Sequence, residues 1–411
     1  MKKLEKCRIC GNPNLIAVLS LGNQVLTGVF PRSREEKITS GPLELVKCHG
    51  VGACSLLQLA HSYDSAEMYG ANYGYRSGLN RSMVSHLGRK VQSLLERYPI
   101  SSGDVVLDIG SNDGTLLSHY PEGILPFGMD PTASKFREYY QSRIAVIPDF
   151  FSSESFLAAS GGKKARIVTS IAMLYDLESP LDFVRQVASV LDKDGVWHFE
   201  QSYMPSMIRV NAYDTICHEH LEYYGLRQIQ WMLEREGLKI LDVEINDING
   251  GSFAVTAALQ SSKLSASDSQ IQKILEEESI FENPEPYEQF AKRVASHRDE
   301  LCEKISAITR EGASILGYGA STKGNVILQY CGFTTRDIPA IAEVNPDKFG
   351  AYTPGTLIPI ISEKDAHARK PDYLLVLPWH FRSNLVEREA AYLRDGGKMI
   401  FPLPSIEIVR G

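Results

Sequence analysis

The sequence predicts an α/β protein in three parts: a small cysteine-rich head, a central parallel sheet flanked by helices, and a second, smaller α/β unit at the C-terminal end. Three observations carry this. Short β-rich runs alternate with helical stretches from about residue 101 to 259 and resume from 314 to 401. Four of the seven cysteines fall within the first 54 residues, where apolar sequence is sparse. A chain of 411 residues also exceeds what one hydrophobic core supports. The boundaries fall at 1–75, 76–285 and 286–411.

The head has only short apolar runs such as Leu15 to Leu19, too little for an independent core, so it needs a staple. Cys7-x2-Cys10 and, after a gap of 37 residues, Cys48-x5-Cys54 supply four thiolates, the set that fills a tetrahedral structural zinc site. The second spacing is long for such a site, which leaves His49 as an alternative ligand. Cys217, Cys302 and Cys331 stand alone and read as core residues.

In the middle, strands are expected at Val105–Gly110, Leu125–Asp130, Ala145–Ile147, Ile167–Ile171, Val196–Glu200, Ile240–Ile245 and Ser252–Ala258. Helical stretches at Thr132–Ser142 and Pro180–Leu191 make the early part a βαβ series. The last two runs are joined by Asn246-Asp-Ile-Asn-Gly-Gly251, too short for a crossover, so they form an antiparallel hairpin at the sheet edge. A polar stretch, Ser261 to Pro286, leads into a long helix with apolar positions at Phe290, Val294, Leu301, Ile305 and Ile308. The C-terminal strands are expected at Ser314–Gly317, Ile338–Glu343, Leu357–Ile361, Tyr373–Leu377 and Met399–Phe401.

Chemistry concentrates at three places. In Val105-Val-Leu-Asp-Ile-Gly-Ser-Asn-Asp-Gly114 a buried strand runs into a Gly-rich turn that opens a helix, where the backbone can approach a ligand closely. Asp108 and Asp113 would repel a pyrophosphate, so a cationic, phosphate-free ligand such as S-adenosylmethionine fits better. Gly110, Asn112 and Gly114 shape that turn. Asp130, 22 residues beyond Asp108, stands where a carboxylate takes both ribose hydroxyls. Asp149 is placed for an adenine amino group, with Phe150 beside the ring.

The second place is Gly317-Tyr-Gly-Ala-Ser-Thr-Lys-Gly-Asn325, which follows a strand. Its backbone donors, with Tyr318, Ser321, Thr322, Lys323 and Asn325, are the parts of a diphosphate cradle. Glu343, at the next strand end, suits a ribose as in a Rossmann-like half. The third, Cys217-His-Glu-His-Leu-Glu-Tyr-Tyr224, packs two imidazoles, two carboxylates and two phenols into eight residues, a density that suits proton transfer.

A net charge of -7 without clustered Lys and Arg argues against nucleic-acid binding. No stretch reaches the length of a membrane span, and no apolar h-region follows the basic N-terminal residues, so a cytoplasmic protein is expected.

These motifs in this order, together with Tyr73-Gly-Tyr-Arg-Ser-Gly78, resemble the three-domain, zinc-containing sugar C-methyltransferases of branched-chain deoxysugar pathways. The likeness covers essentially the whole chain. It implies a class I S-adenosylmethionine-dependent methyltransferase sheet in the middle and a nucleotide-linked keto sugar held against the C-terminal unit. The methyl then enters the carbon beside the ketone. By position, the resemblance makes His220 the base, Glu219 its orienter or a sugar ligand, and Tyr75 a donor nearby, with Arg76 among the substrate-binding residues. Where relatives have a further histidine, this chain has Tyr175-Asp176, and Cys217-His218 replaces a tyrosine, so the base is open among His218, His220 and Tyr175. The nucleotide base (dTDP, GDP or CDP) and the oligomeric state, a monomer included, are open too.

Competing readings are O- or N-methylation of such a sugar, a non-catalytic protein that keeps the cofactor fold, and a fused reductase with an NAD site in the C-terminal unit. The last lacks the third glycine of G-x-G-x-x-G, since Thr322 occupies its place.

Overall fold

The computed structural model describes residues 1–68 and 75–411. Tyr73 and Gly74 of the Tyr73–Gly78 segment lie outside them. In the head, β1 (Leu15–Val25), β2 (Ser40–Cys48) and β3 (Leu57–Leu59) pair antiparallel. Leu21, Leu43, Leu45, Leu57 and Leu59 do not close a core of their own. They pack into the same cluster as Phe290, Val294 and Leu328 of the C-terminal part.

Helix α1 (Arg81–Arg97) is capped by Asn80, whose side chain accepts from the Ser82 N–H. It buries Met83, Leu87, Val91 and Leu94 at helical spacing. The sheet then begins with β4 (Val105–Ile109), buried at all five positions as a central parallel strand should be. It continues with β5 (Leu125–Met129), β6 (Ala145–Ile147) and β7 (Ala165–Ile171). After α2 (Pro180–Val190) come β8 (Leu191–Ser202), a two-residue β9 (Glu222–Tyr223) and α3 (Leu226–Arg235). β10 (Leu238–Asn246) and β11 (Ser252–Leu259) form the expected hairpin. The seven-stranded order is β10-β11-β8-β7-β4-β5-β6, antiparallel only at β11. β9 leaves this sheet and pairs with β3, making the head four-stranded.

Two expectations fail here. Residues 132–142 are turns with one 3-10 turn at Arg137–Tyr139 rather than a helix. Asp130 accepts the Thr132 N–H and hydroxyl at 2.6 and 2.5 Å, and that local bond competes with helix initiation. The polar stretch from 261 instead contains α4 (Asp268–Glu278), whose buried Ile271 and Ile274 are too few to show a period.

Helix α5 (Glu285–Arg310) runs 26 residues and buries Phe290, Val294, Leu301, Ile305 and Ile308 as their spacing requires. The C-terminal sheet comprises β12 (Ile315–Tyr318), β13 (Ile341–Glu343), β14 (Ile360–Ser362), β15 (Tyr373–Val376), β16 (Lys398–Phe401) and β17 (Glu407–Arg410). Helix α6 (Thr322–Cys331) follows β12. The order is β14-β13-β12-β15-β16-β17, parallel except for the last pair. Strand order reverses beside β4 in one sheet and beside β12 in the other, and ligands bind at such points, beyond the strands' carboxyl ends. Both points open onto one cavity.

Candidate active site

That cavity, of about 500 Å³, is lined by all three parts of the chain. From the head come Gly28 and Phe30, and from the middle Asp108–Asn112, Asp130–Thr132, Phe150, Glu200, Tyr175, Glu219 and His220. The C-terminal unit adds Ala320–Lys323, Lys348 and His380.

On the central side, Gly110 (φ +73) and Gly114 (φ +75) take left-handed backbone that bends the chain out of β4. Asp130 accepts the Asn112 N–H at 2.9 Å, so the turn and the second strand end are locked together. Asp108 accepts from the Thr169 hydroxyl at 2.6 Å, and burial pushes its carboxyl up to about 7. Asp113 does not line the cavity: it accepts the Gly78 N–H at 2.8 Å and caps Thr115. The Asn112 side chain accepts from Ser77 N–H and donates to the Tyr75 carbonyl. Together the two fasten the Tyr75–Asn80 segment over the pocket. Phe150 lines the wall, whereas Asp149 points outward and accepts from the Phe150 N–H. Apolar walls, an open left-handed turn and a strand-end carboxylate suit an adenosyl group.

On the opposite side, His220 donates Nδ1–H to the Thr215 carbonyl at 2.8 Å, and its ring lies 4.3 Å from that of Tyr175, centroid to centroid. Burial, aided by the charge of Lys323, pushes its pKa down to about 3. Glu219 accepts from the Thr27 hydroxyl at 3.3 Å, and burial raises its pKa. Gly28 is required there: a Cβ would collide with Glu219 Oε1 and stand 3.6 Å from Thr322 Oγ1. His218 is turned away, fully buried in the head with its ring edge-on to Tyr63 at 4.6 Å, and so is not on the cavity wall.

The cradle is only partly at the cavity. Ser321 caps α6 through the Gly324 N–H at 3.0 Å, and Ser321, Thr322 and Lys323 line the wall. Tyr318 is buried away from it against Glu389, and Asn325 donates to the Thr27 carbonyl at 2.8 Å. Glu343 accepts from the N–H groups of Ala320, Val344 and Asn345, which makes it a staple of the loop rather than a wall residue. The Arg76 guanidinium stacks on Tyr139, 3.8 Å from the ring centroid. Residues the sequence reading missed are Lys348, Glu200 and His380. His380 follows β15 and was within reach of the strand-end rule. Lys348 ends a short 3-10 turn, Pro346–Lys348, and gave no signal.

At the far edge of the head the sulfurs of Cys7, Cys10, Cys48 and Cys54 lie within 4.8 Å of one another, with two pairs at 3.4 Å. Zinc–sulfur bonds of about 2.3 Å in a tetrahedron set sulfurs about 3.8 Å apart, so the four thiols fit the ion. His49 is not part of the group.

Family models match the chain in three consecutive segments: a putative zinc-binding domain over 7–69, a methyltransferase domain over 83–243 and a C-methyltransferase C-terminal domain over 247–404. The three segments span the chain from 7 to 404 in the order zinc-binding head, methyltransferase domain and C-methyltransferase C-terminal domain. C-methyltransferase NovU of Streptomyces niveus is 28% identical, aligned over 100% of this chain and 98% of that protein. Two solved structures align with less than half of this chain, too loosely to bear on the site. A Haloferax volcanii Trm112–putative methyltransferase complex has 14% identity and TM-score 0.37 over 44% of this chain and 94% of that one. Mitomycin 7-O-methyltransferase MmcR has 15% identity and TM-score 0.35 over 44% and 55%. The middle segment is thus an S-adenosylmethionine-dependent methyltransferase domain, and the four cysteines are the ligand set of the zinc-binding head.

Proposed function

We propose that the protein is an S-adenosylmethionine-dependent C-methyltransferase acting on a nucleotide-linked 4-keto-6-deoxy hexose. The methyl enters the carbon beside the ketone, C3, through an enolate, in a branched-chain deoxysugar pathway. One observation carries this reading: a neutral imidazole, its Nδ1–H fixed on a backbone carbonyl, faces a cavity shared by the cofactor turn and a second nucleotide-type turn. A C–H beside a carbonyl is acidic enough for such a base.

Bound S-adenosylmethionine supplies an electrophilic methyl on a sulfonium. Asp108, Gly110, Asn112, Asp130 and Phe150 hold it. Asp113, Gly114 and Asp149 support the surrounding loops. Nε2 of His220 takes the sugar proton; Glu219 and Tyr75 orient the hexose, and Tyr175 braces the His220 ring. Ser321, Thr322 and the N-terminus of α6 take the diphosphate. With all four metal positions filled by cysteine, the zinc is structural. Four zinc-ligating cysteines and three more without a disulfide suit a reducing compartment, and a cytoplasmic location is part of this reading. Among the described residues no helix is long and apolar enough to cross a membrane.

The test is a mass-shift screen of dTDP-, GDP- and CDP-linked 4-keto-6-deoxy hexoses, each beside its 4-hydroxy counterpart. C-methylation needs the ketone and stops with the alcohol. O- or N-methylation survives the change and would refute the reading.

A further inference from the structure

We propose that Lys323 is a catalytic residue whose ammonium meets the ketone oxygen of the hexose and holds the negative charge formed there when His220 takes the neighbouring proton. This rests on the enolate reading above. Position in the Gly317–Asn325 segment suggests a different task, a share in the diphosphate cradle.

The side chain departs from that cradle. Its Nζ crosses from α6 to the middle domain and donates to the Asn249 carbonyl at 2.8 Å. An ammonium has three donors, so two are left for the cavity that Lys323 lines together with His220. The contacts around Gly28 show how near the two sides come: a Cβ there would meet both Glu219, next to the base, and Thr322, next to the lysine.

Charge agrees with this placement. Asp214 is fully buried, accepts the Trp379 indole N–H at 2.7 Å, and attracts Lys323, opposing the burial that lowers the lysine's pKa. The same ammonium helps hold His220 neutral. An acid–base pair of this kind needs a neutral base and a fixed cation side by side in a site shielded from water.

The diphosphate has another cation. Lys348 lines the same cavity from the far side of the Gly319–Ser321 turn, its Nζ 2.7 Å from the Ala320 carbonyl and 4.4 Å from the Phe30 ring centroid. In the step assigned to Lys323 the sugar C–H bond breaks and its electron pair becomes the C=C bond. The carbonyl π pair moves onto oxygen opposite the ammonium, and the proton stays on Nε2 of His220.

The test uses the full zinc-loaded chain in D2O with S-adenosylhomocysteine and the dTDP-, GDP- and CDP-linked 4-keto-6-deoxy hexoses. It reads deuterium uptake into the sugar by mass spectrometry. Wild type should exchange one ring proton. K323M should exchange about 100-fold more slowly at saturating sugar nucleotide, with unchanged calorimetric affinity for the matching nucleoside diphosphate. K323Q keeps a donor for Asn249 without the charge and should be equally slow, which carries the comparison if K323M fails to fold. Binding of S-adenosylhomocysteine reports folding of each. Variants that exchange at the wild-type rate at saturation, with or without weakened nucleoside diphosphate binding, overturn the proposal. If wild type exchanges no proton from any of the three sugars, the enolate reading itself fails, a result seen without any variant.

Discussion

The carbonyl of Thr215 accepts the Nδ1–H of His220 at 2.8 Å, and a carbonyl can only accept, so the tautomer is fixed and Nε2 is a bare lone pair. His220→Asn should therefore slow methyl transfer by about 100-fold or more and leave the affinity for S-adenosylhomocysteine unchanged, as calorimetry would show.

The pH dependence follows from the same residue. Burial and Lys323 depress His220 to about 3, while Glu219, Tyr175 and Cys217 surround it. A base with a lowered pKa is lost only when pH falls through that lowered value. Proton exchange should consequently hold as pH drops from 7 to 5, with no limb near the ordinary imidazole pKa of about 6.5. A limb there would mean that the ring is charged in the resting protein.

Gly28→Ala places a methyl against Glu219 Oε1 and close to Thr322 Oγ1. The carboxylate swings aside more cheaply than backbone does, so thermal stability should change little while turnover drops about 100-fold, as for a misplaced active-site group. An unchanged rate would show that Glu219 has no part in the reaction.

Asp130 joins the Asn112 N–H to the Thr132 turn at the edge of the cofactor cavity. Asp130→Asn removes the charge and one acceptor. Loss of a charge-assisted hydrogen bond of about 1.5–3 kcal/mol corresponds to a roughly 10- to 100-fold weaker affinity for S-adenosylhomocysteine, measurable by titration.

The zinc head should matter to the active site as well as to folding. It carries Thr27 and Gly28 on the strand-to-loop exit of β1, and its sheet shares a core with α5 and α6. Chelation, or Cys10→Ser, is expected to lower the melting temperature and abolish transfer together, with one zinc per chain by elemental analysis before treatment.

The sequence exposed what repeats or alternates: β4 through its unbroken buried run, α5 through its apolar spacing, the β10–β11 hairpin through a linker too short for a crossover. Asp108 and Asp130 were legible because strand ends in a parallel sheet are where ligands sit. Direction was not legible. Nothing in Cys217–Tyr224 says that β9 joins the head sheet, and this pairing buries His218 and leaves His220 at the cavity. Likewise Glu343 turns to two backbone N–H groups of its own loop and to that of Ala320 in the neighbouring turn, and Asn325 to the head, because these contacts outbid the roles that their positions suggest.

The most direct measurement incubates the purified protein with S-adenosylmethionine and each of the three keto sugar nucleotides, then locates the new group by NMR. Addition of one methyl at C3, beside the ketone and absent with the 4-hydroxy sugar, is the expected result. A methyl on oxygen or nitrogen, or transfer to the 4-hydroxy sugar, would contradict it.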